Sequence, residues 1–318
     1  MMRLQAPRLA EGRGPRAGPP AWGGSEPSAG GFGQSPRVPD LSAWEASLEL
    51  AFDANEFGTR LAHRAHRGPL YVQRPFRPEG PEVCHVYVLH PPGGLVGGDA
   101  LSVDVRAEAG AAALVTTPAA GKAYRTLGLP VRQCSTLHVG PRASLEWLPS
   151  ETIVYDGARA TFETRVQLQP GGRFIGAETL CLGLPARGEL FTRGACRQIF
   201  EIWREGRPLF VERSRFEGGG ATLHRRWGLG GASVLGLLTA VPAPPPAVVD
   251  ELRACAAAVP AGDAAAVTVL GRDEDATLVC RTLGTSAERT RAFLQEAWRL
   301  LRPALLGRPA IPPRIWAT

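Results

Sequence analysis

Several signals that would assign a chain to a common functional class are missing from this one. The six cysteines, at positions 84, 134, 181, 196, 255 and 280, include no Cys-x-x-Cys pair. That argues against a zinc ribbon or a thioredoxin-type redox site. No signal-peptide core precedes them, so nothing places them where disulfide frameworks form, and reduced thiols in a cytoplasmic protein are expected. No apolar run approaches the ~20 residues needed to cross a bilayer, so the chain reads as soluble with no membrane contact. The formal net charge of +6 is carried by 36 basic residues, nearly all arginine. They are interleaved with acids, and no run of five like charges occurs. Dispersed charge argues against nucleic acid as a partner, while an acidic protein partner fits the same balance. Aromatic residues make up only 7%, and there is no internal repeat.

Glycine and proline are abundant instead, with 38 Gly and 29 Pro in 318 residues. Many turns follow from that. Residues 1–40 are rich in Gly, Pro, Ala, Arg and Ser and have hardly any periodic apolar positions. Such a leader cannot bury enough surface to offset its ordering entropy, so it is expected to be disordered and outside the fold. The ordered domain should span 41–318. Near its start Trp44, Ala46, Leu48, Leu50 and Phe52 alternate with other positions, the period of a half-buried strand. Similar runs follow at 61–64, 70–74, 83–89, 101–105, 111–117, 134–139, 143–147, 152–155, 162–168 and 173–180. Turn residues such as Gln169-Pro-Gly-Gly172 separate them. A hairpin joins 197–203 to 209–213. The fold class is therefore mainly β.

Past the proline run Pro242-Ala-Pro-Pro-Pro246 the character changes, and 241–318 reads as a small α/β element containing two helices. The first covers 248–259. Strands at 267–270 and 277–282 precede the second. That helix opens on Thr285-Ser-Ala-Glu288, which has capping-box spacing, carries Phe293, Leu294, Ala297, Trp298 and Leu301 on one face, and is expected to end at Pro303.

The densest backbone device is His90-Pro-Pro-Gly-Gly-Leu-Val-Gly-Gly-Asp99, set between two strand-like runs. It is not a phosphate loop, because that needs a helix N-terminus behind it and the segment after it alternates like a strand. Asp99 at its end is either a turn aspartate bonding its own backbone or a carboxylate on a cavity wall. Cys84 and His85 are neighbours on a strand, so their side chains point to opposite faces. They are unsuited to share one metal. Lys122, just past Gly121, could be a catalytic amine or a basic turn residue; no Ser/His/Asp or Cys/His order supports a nucleophile. Glu146, Glu151, Glu163, Glu178, Glu201 and Glu212 sit in or beside apolar strand-like segments. Carboxylates are rarely buried unpaired, so each needs an arginine, water or a polar cavity.

Together with these, Val72-Gln-Arg-Pro-Phe76, Thr116-Thr-Pro-Ala-Ala-Gly-Lys122 with Tyr124-Arg125, Leu145-Glu-Trp-Leu-Pro149, Tyr155-Asp-Gly-Ala158, Pro208-Leu-Phe-Val-Glu-Arg213 and Pro313-Arg-Ile-Trp316 resemble the signature of the urease accessory protein UreD (UreH) family. The blocks run in the family's order from about residue 42 to the end. Ala177 departs from the tryptophan common before Glu178, as do Arg77 and Ala123 from aromatics. The resemblance implies a non-enzymatic maturation factor with an elongated, β-helical, multi-sheet fold. It implies as partners apo-urease and a UreF-type accessory protein, through which a UreG-type GTPase is recruited, with a dimeric arrangement inside that complex. No permanent cofactor is implied, only transient Ni²⁺ moving through an internal polar passage to the urease active site. Family positions credited with that passage match Asp99, Glu178 and Glu212, with His85 and Cys84 as weaker candidates. Scattered oxygen donors would hold nickel weakly enough to release it. Two other readings stay open: a β-rich hydrolase using Asp99 and Glu178 as an acid/base pair, and a purely structural adaptor.

Overall fold

A computed structural model describes residues 43–317; the expectation for the 1–40 leader lies outside the described residues. The chain opens with β1 (Glu45–Asn55), β2 (Gly58–Arg67), β3 (Tyr71–Val72), β4 (Cys84–Leu89), β5 (Ala100–Ala107) and β6 (Ala112–Thr116). Then come β7 (Gly121–Ala123), β8 (Val131–Val139), β9 (Ser144–Leu148), β10 (Thr152–Val154), β11 (Arg159–Leu168) and β12 (Arg173–Leu184). After β13 (Glu189–Leu190), β14 (Ala195–Arg204) and β15 (Arg207–Glu217) follow a short helix α1 (Ala221–His224) and β16 (Val234–Val241). Helix α2 (Pro246–Ala257), β17 (Ala264–Leu270), β18 (Thr277–Gly284) and α3 (Ala287–Leu306) complete the order.

The strands form two sheets. In the first, β1, β5, β8, β11 and β14 are successive parallel neighbours, flanked by the antiparallel strands β2 and β15. In the second, β4, β6, β9 and β12 are parallel and in sequence order, and β16, β18 and β17 extend the sheet antiparallel. The chain thus alternates between sheets, leaving one strand in each at every circuit. That is β-solenoid-like stacking, in which each coil satisfies the backbone of the next. In-register rows of apolar side chains fill the space between the sheets. Leu50, Val105, Leu137, Val166 and Ile202 form one such row, all buried.

Strand β12 explains why there are two cores. Its side chains alternate, so Phe174, Leu180 and Leu182 face the first sheet and join the large core. Ile175 and Ala177 face the other way, into a second core with Leu252, Leu294, Ala297, Trp298 and Leu301 of α2 and α3. Locally the molecule is a three-layer sandwich of sheet, sheet and helices.

Four expectations need correction. Strand β16 was not anticipated: its eight residues are nearly all buried because it lies between a core and the helices, and a strand covered on both faces has no polar alternation to detect. The second sheet also runs unbroken across the proline segment, since β16 pairs with β18. Helix α3 does not stop at Pro303 but continues to Leu306. The bond lost at the proline is offset by burial of Leu305, by Gly307 N–H donating to the Pro303 carbonyl, and by Arg173 donating to that of Leu305. Its N-cap is Ser286 rather than Thr285, the hydroxyl accepting from Arg289 N at 3.2 Å.

Candidate internal passage

The inward phase of the first sheet should be uniformly apolar, and near its middle it is not. On β8 the inward series is Val131, Gln133, Ser135, Leu137, Val139; on β11 it is Ala160, Phe162, Thr164, Val166, Leu168; on β14 it is Cys196, Gln198, Phe200, Ile202. Register stacks Ser135 beside Thr164 and places Phe162 between Gln133 and Gln198. Opposite them, on the same phase of β12 as Phe174 and Leu180, is Glu178. Thr164 Oγ1 donates to one carboxylate oxygen at 2.5 Å and Gln198 Nε2 to the other at 2.8 Å. Burial, aided by the nearby charge of Glu212, pushes the Glu178 carboxyl above the usual range against these two bonds.

The other five carboxylates are matched by guanidinium groups. Glu146 accepts from Arg302 Nε at 3.1 Å, Glu151 from Arg291 at 3.0 Å, and Glu201 from Arg213 at 2.6 Å. Glu163 pairs with Arg132 and Arg165, and Glu212 accepts from Arg281 Nε at 2.8 Å. Among the described residues Glu178 alone of the six has no cationic partner.

Glu178 also stands where cavities meet. A cavity of about 170 Å³ is walled by His90, Gly93–Leu95, Lys122 and Gln133 among others. It shares Gln133, Trp147, Pro149, Ser150, Thr152 and Phe162 with a narrow one of about 40 Å³ that also includes Ser135, Thr164, Glu178 and Gln198. Glu178 and Gln198 in turn belong to the wall of a third, of about 290 Å³, that includes Glu212 and Arg281. The three spaces adjoin through shared walls and run from the glycine-rich loop to the β15–β18 side of the molecule.

The structure therefore brings Glu178 and Glu212 to one series and leaves the other candidates out. Asp99, 6% exposed, spends its two oxygens on backbone N–H groups, accepting from Trp44 at 3.1 Å and Val96 at 2.9 Å. It lines none of the three cavities. It is a loop brace, and no acid/base pair with Glu178 is assembled. The glycines around it do permit close approach: a Cβ at Gly94 would lie 2.3 Å from the Tyr124 ring, and Gly98 has φ +95°. Cys84 is fully buried in the large core, and burial pushes its thiol up to about 11. A thiol so poorly ionised is a poor ligand. His85 points the other way, its Nε2 2.5 Å from Glu79, in a buried cluster where Arg302 bridges Glu79 and Glu146. Burial alone would raise Glu79, but the bonds from His85 and Arg302 outweigh it and hold that carboxyl low. Among the described residues no three His, Cys, Asp or Glu side chains gather as a closed metal site.

Reading residues in isolation missed Gln133, Ser135, Thr164 and Gln198. Their signal was phase: each is a polar residue on the buried face of a strand whose other inward positions are apolar.

Fold and site define a class: a β-solenoid-like protein with a polar patch inside its apolar interior and, among the described residues, no closed metal site. The chain belongs to the UreD urease accessory protein family, whose profile matches residues 45–317. It is 44% identical over 278 residues to the urease accessory protein UreD of Dechloromonas aromatica (strain RCB), covering 87% of this chain and 95% of the relative. The protein of the same name from Pseudomonas aeruginosa PAO1 is 45% identical over 284 residues, with 88% and 99% covered. Among the described residues no helix is long and apolar enough to cross a membrane.

Proposed function

We propose that this protein is a non-enzymatic scaffold of urease maturation that binds apo-urease and a UreF-type protein and lets Ni²⁺ cross its interior. Through the UreF-type protein it would be joined to a UreG-type GTPase. The observation that carries this reading is Glu178, a carboxylate with hydroxyl and amide partners instead of an arginine, set where successive cavities meet. Oxygen donors of this kind bind a divalent cation weakly and exchange it readily. Glu212, at the outer cavity, would receive the ion only after parting from Arg281. A proton held on Glu178 must leave when a metal arrives, so binding strengthens as pH rises.

The test is co-expression with apo-urease and its other accessory proteins, reading urease activity, nickel content and co-purification together. Glu178→Ala should co-purify normally but leave urease short of nickel, by about tenfold if this carboxylate is the obligatory ligand. Full activation by a Glu178→Ala protein that still binds would show that the protein acts as an adaptor only.

A further inference from the structure

The cavity at the glycine-rich loop has a polarity opposite to that of its neighbour. None of its lining residues is acidic, and its one fully charged group is Lys122, the only lysine in the chain. The backbone fixes that residue firmly: Leu95 N–H donates to its carbonyl at 2.7 Å, and the turn places Gly94 against its Cβ. Among the described residues the ammonium itself has neither a hydrogen bond nor an ion pair. Trp147, 4% exposed, lines the same cavity with its Nε1 buried and unpartnered. The half-buried Gln133 side chain, on the shared wall, likewise makes no hydrogen bond among the described residues.

Buried donors without acceptors are costly, and their natural complement is a ligand with several acceptor oxygens and a negative charge. We infer that this cavity binds a small oxyanion of phosphate or carboxylate size. Lys122 supplies the charge, and Trp147 Nε1 with the Gln133 amide supplies directed donors. About 170 Å³ leaves room for such an ion with a few waters, whose share of liquid volume is about 30 Å³ each. The next space is lined instead by Glu163 and Glu178. Metal transit is not a premise: the property is anion binding by the protein alone.

The test uses the full chain in chloride buffer, titrated with inorganic phosphate or acetate at constant ionic strength, with Tm and calorimetry as readouts. Saturable, single-site binding above the chloride baseline is expected. Lys122→Met should abolish it, Lys122→Arg should retain it, and Trp147→Phe should weaken it by about tenfold, the worth of one charge-assisted hydrogen bond. The melting of each variant in chloride shows that it is folded. A response to acetate alone assigns the site to small carboxylates, and one to phosphate alone assigns it to phosphate. No response beyond chloride, or binding untouched by Lys122→Met, overturns the inference.

Discussion

Glu146 and Glu178 are carboxylates on neighbouring strands of one sheet, the first fully buried and the second half-buried, and they are treated in opposite ways. Glu146 faces the helical layer. Trp298 Nε1 donates to it at 2.6 Å and Arg302 Nε at 3.1 Å. Arg302 goes on to Glu79 at 2.6 Å and to the carbonyl of Pro309, so one buried guanidinium ties strand, helix and C-terminal segment together. Glu178 faces the solenoid interior and receives only neutral donors. A buried carboxylate with an arginine is committed to structure. One without keeps a proton or an exchangeable partner. Charge matching, more than burial, separates the brace from the candidate site.

The sharpest way to break that comparison is to remove the brace. Arg302→Met leaves Glu146 and Glu79 buried without their cation and should cost about 3–5 kcal/mol in urea or thermal melts. A loss under about 1 kcal/mol would mean that the cluster does not hold the helical layer in place. Asp99→Ala comes next. It strips acceptors from the Trp44 and Val96 N–H groups, and should cost about 2 kcal/mol for bonds to a charged group. Any effect on urease activation should then track lost protein rather than lost nickel binding. Nickel-deficient urease at normal levels of a stably folded Asp99→Ala protein would return Asp99 to the passage.

Glu178→Gln should act in the other direction. The folded-state pKa of Glu178 is raised above an unfolded value of about 4.3, so the folded protein holds the proton more tightly. Stability from this group is fully present below the unfolded pKa and is lost as pH rises through the folded one. The amide cannot ionise, so the variant should melt higher than the parent at pH 8 and equally near pH 4. A variant that melts lower at pH 8 would show that Glu178 is held ionised and satisfied, and the contrast with Glu146 would collapse.

How much of this the chain disclosed depends on what each residue faces. Strands with one face on a core announced themselves, as β1 does through Ala46, Leu48, Leu50 and Phe52. Strand β16 did not, because both its faces are covered, and β7 and β13 are too short to show a period. Helix α3 was legible from its apolar face, but its end was not, since the groups that stabilise its last turn come from Arg173 and Gly307. At the candidate site, Glu178 and Glu212 were visible as carboxylates in apolar strands. Their difference was not: Arg281 lies 69 positions from Glu212, and Thr164 and Gln198 reach Glu178 across the interior from β11 and β14, the first-sheet strands that precede and follow β12. Asp99 drew attention for its costly glycine loop, yet the loop exists to turn the chain, and the carboxylate stabilises the turn.

The smallest effect tests whether the two ends of the carboxylate pair communicate. Glu212 is partly exposed and paired with the half-exposed Arg281, so Glu212→Gln should change stability at neutral pH by less than about 1 kcal/mol. Its charge is nevertheless one of the causes, after burial, that hold Glu178 high. Removing it, and freeing Arg281, should draw the Glu178 titration toward lower pH. The alkaline loss of stability attributed to Glu178 should shrink, seen as a flatter Tm-against-pH profile between about pH 5 and 8. The same substitution on a Glu178→Gln background should leave the profile unchanged, because no ionising group remains to respond. If both backgrounds shift equally, Glu212 acts on stability by another route, and the two carboxylates are independent.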